Sequence, residues 1–435
     1  MQTYFNPSSS SVGSRHPALD PVNVLFLIGA FLAPWDLSLG GSGFTAYDVV
    51  LVVVAFMMLA TRRRWQFLSF QFTAAVYVFI LFAVLSTFRA PQPVESLTQI
   101  VQFIFIFFVQ IPIIFTLVKS QWLFRMSLLM FVSGMLVGVI SSLAVERFQG
   151  AGRTLAFYSE NPNRLGYTTA YFLPFVLHLL FEAWRTRRTL AVILASGALL
   201  LMIWALLASG SRSATVGTLV TAVVFLTFYR GFEINLKTML RLLLVVAVIG
   251  LVSYWFYQSD FFPATLRHRI ERTLMQEASL TRDRTSLAEA GWLAFLDSPF
   301  IGVGFDNFRY VAGQYVFMTH QLPHNMWLQF LAQIGLVGTL AFFALLVRWF
   351  VPMFRAQGAI EDRSQRELMW AFIASMIGII TIYMFVPLMI QRQYWLIYGL
   401  GLVLANGLRE GQARSMPESH QLPGILSRQG TALSA

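Results

Sequence analysis

Residues 189–208 read Thr-Leu-Ala-Val-Ile-Leu-Ala-Ser-Gly-Ala-Leu-Leu-Leu-Met-Ile-Trp-Ala-Leu-Leu-Ala, without a single ionisable side chain. At about 1.5 Å per residue, a helix of this length crosses the hydrocarbon core of a bilayer, roughly 30 Å thick. Arg185, Arg187 and Arg188 precede the stretch, and Ser209–Gly210–Ser211–Arg212–Ser213 follows it. Working outward, comparable apolar runs occupy 22–39, 46–60, 67–88, 97–118, 122–143, 165–183, 211–229, 238–257, 325–347, 367–386 and 389–407. The run at 46–60 is short, and only the Pro387 region separates the last two. The expected class is an all-α, polytopic integral membrane protein with about 12 transmembrane helices. Composition agrees: of 435 residues, 57% are hydrophobic and 12% charged, against about 25% charged in soluble domains. Mean hydropathy is +0.65. A water-soluble enzyme, a disordered chain and a disulfide-stapled domain are excluded, and the absence of cysteine removes thiolate metal sites and cysteine nucleophiles.

The net charge of +11 would suggest an anionic partner in a soluble protein. In a membrane protein it first reports orientation. With the N-terminus in the cytoplasm, 19 of the 31 basic residues fall inside, among them Arg62, Arg63, Arg64, Lys119, Arg125, Arg185, Arg187 and Arg188. Of the 12 left outside, six lie in one long loop that the positive-inside rule discounts. Both termini are therefore expected in the cytoplasm: a tail over 1–21, helices 1–9 over 22–257, a loop over 258–324 facing the periplasm or exterior, helices 10–12 over 325–407, and a tail over 408–435 with little order. The N-terminal stretch does not read as a cleaved signal peptide.

Two outer segments exceed what a turn requires, about 144–164 and 258–324. In the second, Leu266, Ile270 and Leu274 recur at helical spacing among Arg267, Arg269, Glu271 and Arg272, an amphipathic pattern suited to a membrane surface. Leu287, Ala290, Gly291, Ala294 and Phe295 form a second helical stripe that stops before Pro299, with Asp283 as a capping candidate, and Gly302 and Gly304 mark a turn.

Each polar candidate has a plain structural reading beside a functional one. Arg212 either snorkels to the interface or joins a helix N-terminus in binding phosphate. Arg284, with Arg282 as rival, is either surface charge or a phosphate contact near the start of the second loop helix. His324, in Pro323–His324–Asn325–Met326–Trp327, is either an interfacial histidine or a proton-transfer group. Glu160–Asn161–Pro162–Asn163–Arg164 is turn chemistry, or a set of groups for sugar hydroxyls and phosphate. A metal site from His320 and His324 lacks supporting ligands in sequence. No P-loop, no G-x-S-x-G elbow and no outer Asp-x-Asp pair occurs, and charge inside the spans is sparse, which disfavours an ion-coupled transporter.

In this order, Ser209–Ser213, Arg284 followed by Pro299–Phe305 with Phe308, and Pro323–Leu328 followed by Gln333–Gly338 resemble the O-antigen ligase / O-antigen polymerase superfamily of bacterial inner-membrane glycan enzymes. The likeness covers about 150–345, and Asn161–Pro162–Asn163 also fits. Gln333 departs from it, since the family often has glutamate there. The resemblance implies a GT-C-like, metal-independent glycosyltransferase without cofactor, working at the periplasmic face. Its donor would be a glycan on undecaprenyl pyrophosphate and, for a ligase, its acceptor lipid A–core oligosaccharide, with membrane lipids but no nucleic acid as partners. It also implies catalytic roles for Arg212, Arg284 and His324, the last as general base or acceptor-positioning group. Arg147, Arg153, Arg164, Asn161, Asn163, Arg282 and Asn325 stand as substrate contacts. The alternatives are a polymerase using the same donor, a protein-glycosylating oligosaccharyltransferase and, from a different class, a lipid-linked glycan transporter.

Overall fold

The structure, a computed structural model, describes residues 20–35, 37, 44–67, 74–145, 148–149, 153–156, 161–230, 235–259, 267, 271, 277–316, 323–386 and 391–415. Among the described residues the regular structure is helical apart from one short β-pair. Its elements are α1 (Pro21–Leu32), α2 (Ala46–Ala60), α3 (Ala74–Thr87), α4 (Pro93–Phe105), α5 (Ile111–Leu117), α6 (Gln121–Ala144), β1 (Phe148–Gln149), β2 (Arg153–Thr154), α7 (Pro162–Arg185), α8 (Thr189–Ser209), α9 (Arg212–Phe228), α10 (Leu236–Gln258), α11 (Glu277–Asp297), α12 (Phe308–Val311), α13 (Met326–Gly358), α14 (Arg363–Tyr383) and α15 (Arg392–Ser415). A π-helical turn over Ile106–Gln110 joins α4 to α5.

Among the described residues five helices are long and apolar enough to cross a membrane: Pro93–Leu117, Gln121–Ala144, Thr189–Ser209, Met326–Gly358 and Arg363–Tyr383. Shorter apolar helices include Pro21–Trp35, Ala46–Ala60, Ala74–Thr87 and Arg212–Phe228. Large side chains such as Leu190, Ile193, Leu194 and Leu200 on α8, and Leu243, Leu244 and Leu251 on α10, are exposed. Contiguous apolar surface of this kind calls for a lipid neighbour rather than water. The tail expected from 408 onward is shorter than that: the backbone of α15 stays helical to Ser415, because Leu408, Arg409, Glu410, Gln412, Ala413 and Arg414 are good helix formers. The Leu266–Leu274 stripe lies largely outside the described residues.

The core is aromatic. Phe79, Phe103, Phe107, Phe330, Phe342, Trp349 and Trp395 are buried, and the Phe79 ring lies 5.1 Å from Phe103 and 5.3 Å from Phe342. Phe305 of the long loop enters this cluster, 6.0 Å from Phe79 and 5.8 Å from Phe103. Aromatic pairs at such separations add to the burial of large apolar surfaces.

Phe305 reaches the core because α13 is broken. Gly335 sits at φ 70°, ψ −178° inside the helix, a conformation open essentially to glycine alone. The break frees carbonyls of the preceding turn, and the Pro299–Asn307 segment satisfies them. Val303 N–H donates to the Ala332 carbonyl (2.9 Å) and Gly304 N–H to that of Gln333 (3.2 Å), while Leu336 N–H donates to the Pro299 carbonyl (2.7 Å). The approach is so close that a Cβ on Gly302, itself at φ +80°, would collide with the Gln333 backbone, and one on Gly335 with that of Phe300. Gln333 is fully buried, and its Oε1 accepts from Asp306 N–H at 3.1 Å. The amide at this departure from the family pattern therefore has a place in the fold.

On its other side the loop is held by the α3–α4 turn. Phe305 N–H donates to Ser86 Oγ (3.0 Å), Ser96 Oγ–H to the Phe305 carbonyl (2.6 Å), Gln92 N–H to Asn307 Oδ1 (2.7 Å), and Arg89 to Ser298 Oγ (2.8 Å). Asp306 receives Arg309 (2.7 Å) and Gln99 (3.0 Å), and Tyr310 donates to Glu95. A second buried pair ties α15 to α2: Arg392 meets Asp48 at 2.7 Å, both nearly fully enclosed, and Asp48 also closes a capping box with Thr45. Breaking such a pair from one side leaves an uncompensated buried charge.

Two predictions follow from the docked loop. Gly335→Ala combines backbone strain with overpacking, a cost of about 3 kcal/mol or more. It should lower the melting temperature of the detergent-purified protein and open Phe300–Asn307 to protease; unchanged melting would refute the interlock. Burial raises the Asp306 pKa, with Glu95 adding to that and Arg309 and Gln99 opposing it. A raised folded pKa stabilises fully below the ordinary carboxylate range, and the contribution is lost as pH rises through the folded value. Asp306→Asn should therefore flatten the pH dependence of melting in that interval, as a pH series on both proteins will read.

Candidate active site

Three helices begin at the same end of the bundle. Asn161 caps α7, its Oδ1 accepting from Asn163 N–H at 3.0 Å. Ser211 caps α9, its Oγ accepting from Ala214 N–H at 3.4 Å. Asn325 caps α13, its Oδ1 accepting from Leu328 N–H at 3.1 Å. Side-chain oxygens satisfy one orphan amide each, and the remaining first-turn amides and the helix dipole leave each start electropositive. The starts of α7 and α9 touch: a Cβ on Gly166 would meet Ser209, Ser211 and Ala214, and Ser213 Oγ–H donates to Tyr167 Oη at 3.3 Å.

The third start reaches the other two through α14. Gly217 of α9 and Gly378 of α14 bring those helices together, since a Cβ on either would run into Ile382 or Thr221. At the end of α14, Met384 Sδ accepts from Trp327 Nε1–H of α13 at 3.1 Å. Helix α11 closes against the same corner, where a Cβ on Gly291 would lie 3.1 Å from Leu328 and 3.5 Å from Pro323. Leu287, Ala290 and Ala294 of the sequence stripe are buried.

The sequence candidates distribute over this frame. Arg212 is the first residue of α9 and exposed, Arg164 is the third residue of α7 and half-buried, and His324 is exposed immediately before the Asn325 cap. Asn161 is exposed and Asn163 half-buried. Arg153 belongs to β2, paired with Gln149, and Arg147 lies outside the described residues, as does His320. Among the described residues no group of three or more His, Asp or Glu could hold a metal ion.

One expectation needs correction. Arg284 and Arg282 do not precede the second loop helix but lie inside it, because α11 already begins at Glu277. Asp283 is thus no N-cap. No glycine or proline falls between Glu277 and Ala290, and Leu280, Leu287 and Ala288 favour propagation. Arg284 stands seven residues before Gly291, two turns or about 10.5 Å along the axis and at the same helical phase. A phosphate contact there would come from the side chain, not from a helix terminus.

Sequence reading missed a buried polar cluster further along α7. Tyr171 Oη accepts from Gln393 Nε2–H at 3.2 Å, the Tyr171 carbonyl accepts from Ser375 Oγ–H at 2.9 Å, and Tyr394 stacks edge-on to Tyr171 with 5.0 Å between rings. A Gln-Arg-Gln-Tyr run at a helix start is the signal that was available, at 391–394.

No curated protein matches the chain. Residues 197–343 match a family model described as O-Antigen ligase (Wzy_C), running from within α8 into α13. The match contains Arg212, Arg284 and His324; Arg164, Asn161 and Asn163 lie before it. Its long apolar helices suit a multi-pass membrane protein, and over these residues the chain is similar to the O-antigen ligase family.

Proposed function

We propose that the protein is an O-antigen ligase with about 12 transmembrane helices. In this reading it transfers a glycan from undecaprenyl pyrophosphate to lipid A–core oligosaccharide at the periplasmic face of the inner membrane, with both termini in the cytoplasm and the 258–324 loop as a periplasmic subdomain. The observation that carries this reading is the gathering of three capped helix starts at one bundle end, bearing Arg164, Arg212 and His324. Helix N-termini and guanidinium forks suit a pyrophosphate. Arg212 stands outside against the charge bias of the chain.

The chemistry is a single displacement. The acceptor hydroxyl oxygen attacks the anomeric carbon, the bond from that carbon to the phosphate oxygen breaks, and the configuration inverts. His324 takes the hydroxyl proton as general base. Arg212 and Arg284 stabilise the charge that grows on the departing pyrophosphate without needing a divalent ion. Arg164, Asn163 and Asn161, with Arg147, Arg153 and Arg282, hold the donor and acceptor. Asn325 orients the start of α13 through its cap.

A purified assay with undecaprenyl-pyrophosphate glycan and lipid A–core tests the reading. Capped lipopolysaccharide is expected; glycan elongation on the carrier with no lipid A product would establish a polymerase instead. His324→Ala should lower transfer about 10²–10⁴-fold, and Arg212→Lys, which keeps charge but loses the fork, about tenfold or more. Chelator should leave activity intact. Asn325→Ala should cost about 1 kcal/mol of stability. Asn325→Asp should keep the cap and the melting temperature but lower transfer, since it sets a negative charge beside the arriving phosphates. Full transfer by the Asp variant would place the phosphates elsewhere.

A further inference from the structure

At Gly335 helix α13 turns back on itself. In an unbroken helix Trp327 and Phe343 would lie about 24 Å apart along the axis, and Phe330 and Phe342 about 18 Å. Their rings are 5.6 Å and 5.1 Å apart. The stretch before Gly335 therefore runs back beside the stretch after it, as two arms of a hairpin. The second arm, Leu336–Gly358, is about 33 Å long and is enough to cross a bilayer by itself. The first arm lies level with the opening turns of the second. Phe79 of α3 marks the same level: its ring is 6.3 Å from Phe330 and 5.3 Å from Phe342. That level is about 12 Å along the axis before α3 ends at Thr87.

Helix α11 lies along the first arm. Gly291 faces Leu328 and Pro323, and Ala290 and Ala294 share a small buried cluster with Ala332. The end of α11 is thereby held at the depth of the crossing arm's first turns. Its opposite side is open. Thr285, Glu289, Trp292 and Leu296 follow one another at helical spacing on one exposed stripe. The stripe is polar at its first two positions and apolar at its last two. Leu293 lies beside it, and Phe300, just past the helix, is 66% exposed. A loop helix surrounded by water does not gather a tryptophan, two leucines and a phenylalanine on its open side.

This surface does not end at the loop. Leu336 N–H donates to the Pro299 carbonyl at 2.7 Å, so Phe300 stands where the exposed stripe of the crossing arm begins, at Leu336, Leu340, Phe343 and Val347. Phe88, 85% exposed, adjoins the Arg89 that donates to Ser298. Asp297, the one ionisable residue between Trp292 and Phe300, accepts from Tyr315 at 2.6 Å. An apolar patch continuous with the open face of a membrane-crossing arm, level with it and bearing a tryptophan, suits lipid. We propose that Trp292, Leu293, Leu296 and Phe300 are inserted among the acyl chains of the leaflet on the candidate-site side, with Glu289 left in water. Helix α11 is then held between the first arm of α13 and the bilayer, and the end of the 258–324 loop is part of the membrane-embedded body. The proposal rests on the chain spanning a membrane, not on the transfer reaction.

The chain has no cysteine, so a single introduced thiol can be labelled without background. Trp292→Cys, Leu296→Cys and Phe300→Cys are made in the full-length protein, with Leu340→Cys as the lipid-facing reference and Glu289→Cys as the water-facing one. Each is labelled with bimane and reconstituted in phosphatidylcholine nanodiscs. Fluorescence is then quenched from the lipid side by phosphatidylcholine carrying a nitroxide on its acyl chain, and from the water side by iodide. The labels at 292, 296 and 300 should lose as much fluorescence to the nitroxide lipid as the label at 340, and should be protected from iodide. The label at 289 should show the reverse. Iodide quenching at 292, 296 and 300 equal to that at 289 would put this end of the loop in water. Protection from both quenchers would put protein on the face, a second copy of this chain included. Either result overturns the proposal. Absence of lipid quenching at 340 would remove the membrane-spanning reading and the proposal with it. Only exposed side chains are changed, so each variant should melt with the parent. Quenching is read without substrate, so a failed transfer assay would leave this result standing, and the reverse.

Discussion

The structure depends on a broken helix whose break is filled by another part of the chain. Helix α13 stops being regular at Gly335, and the carbonyls of Ala332 and Gln333 accept from Val303 and Gly304 of a loop earlier in the chain. Backbone polar groups in the low-dielectric part of a membrane protein must be satisfied internally, so a break survives only where protein covers it. Filling the break sinks Phe305 into the aromatic core beside Phe79 and Phe103, and fixes Asn307 and Ser298 against the α3–α4 turn. One set of hydrogen bonds thereby locks the Ser298–Asn307 segment, the α3–α4 turn and the break in α13 into a single body.

That locking positions the candidate chemistry. His324 and Asn325 begin the helix whose later turn is broken, and α11, carrying Arg284, packs by Gly291 against Pro323 and Leu328. The close crossing of α9 and α14 at Gly217 and Gly378 sets Arg212 at the same end. A site assembled from helix starts combines rigidity with an electropositive field. The buried Arg392–Asp48 pair reinforces α15 behind it, next to Gln393 and Tyr394. The opposite end of the bundle has another character, where Glu367 draws Arg185, Arg363 and His178 around a carboxylate with no exposure.

Much of this was legible in residue order. Apolar runs announced the helices, the Leu287–Phe295 stripe announced the buried face of α11, and Asn161, Ser211 and Asn325 are ordinary capping residues at helix starts. Gly302 and Gly304 marked a turn, but its purpose was hidden, because a glycine does not say which backbone comes close to it. Arg284 was placed before a helix that in fact starts at Glu277; a possible cap such as Asp283 competes with strong helix formers on both sides, and local propensity alone does not decide between them. The role of Arg392 was hidden, since its partner Asp48 lies 344 positions away in sequence.

The sequence by itself therefore determined the helical class of the molecule and where most of its apolar helices lie. Hydropathy is a sum over neighbours in the chain, and a bilayer reads that sum directly. It also supplied the short motifs by which residues 197–343 resemble a family whose model they match. Only the tertiary structure decided that two of those motifs, Pro299–Phe305 and Gln333–Gly338, are halves of one interlock, and that Gln333 serves the Asp306 amide. The physical reason is range: burial and hydrogen bonding inside a bundle join groups hundreds of residues apart, and no local pattern carries the address of its partner.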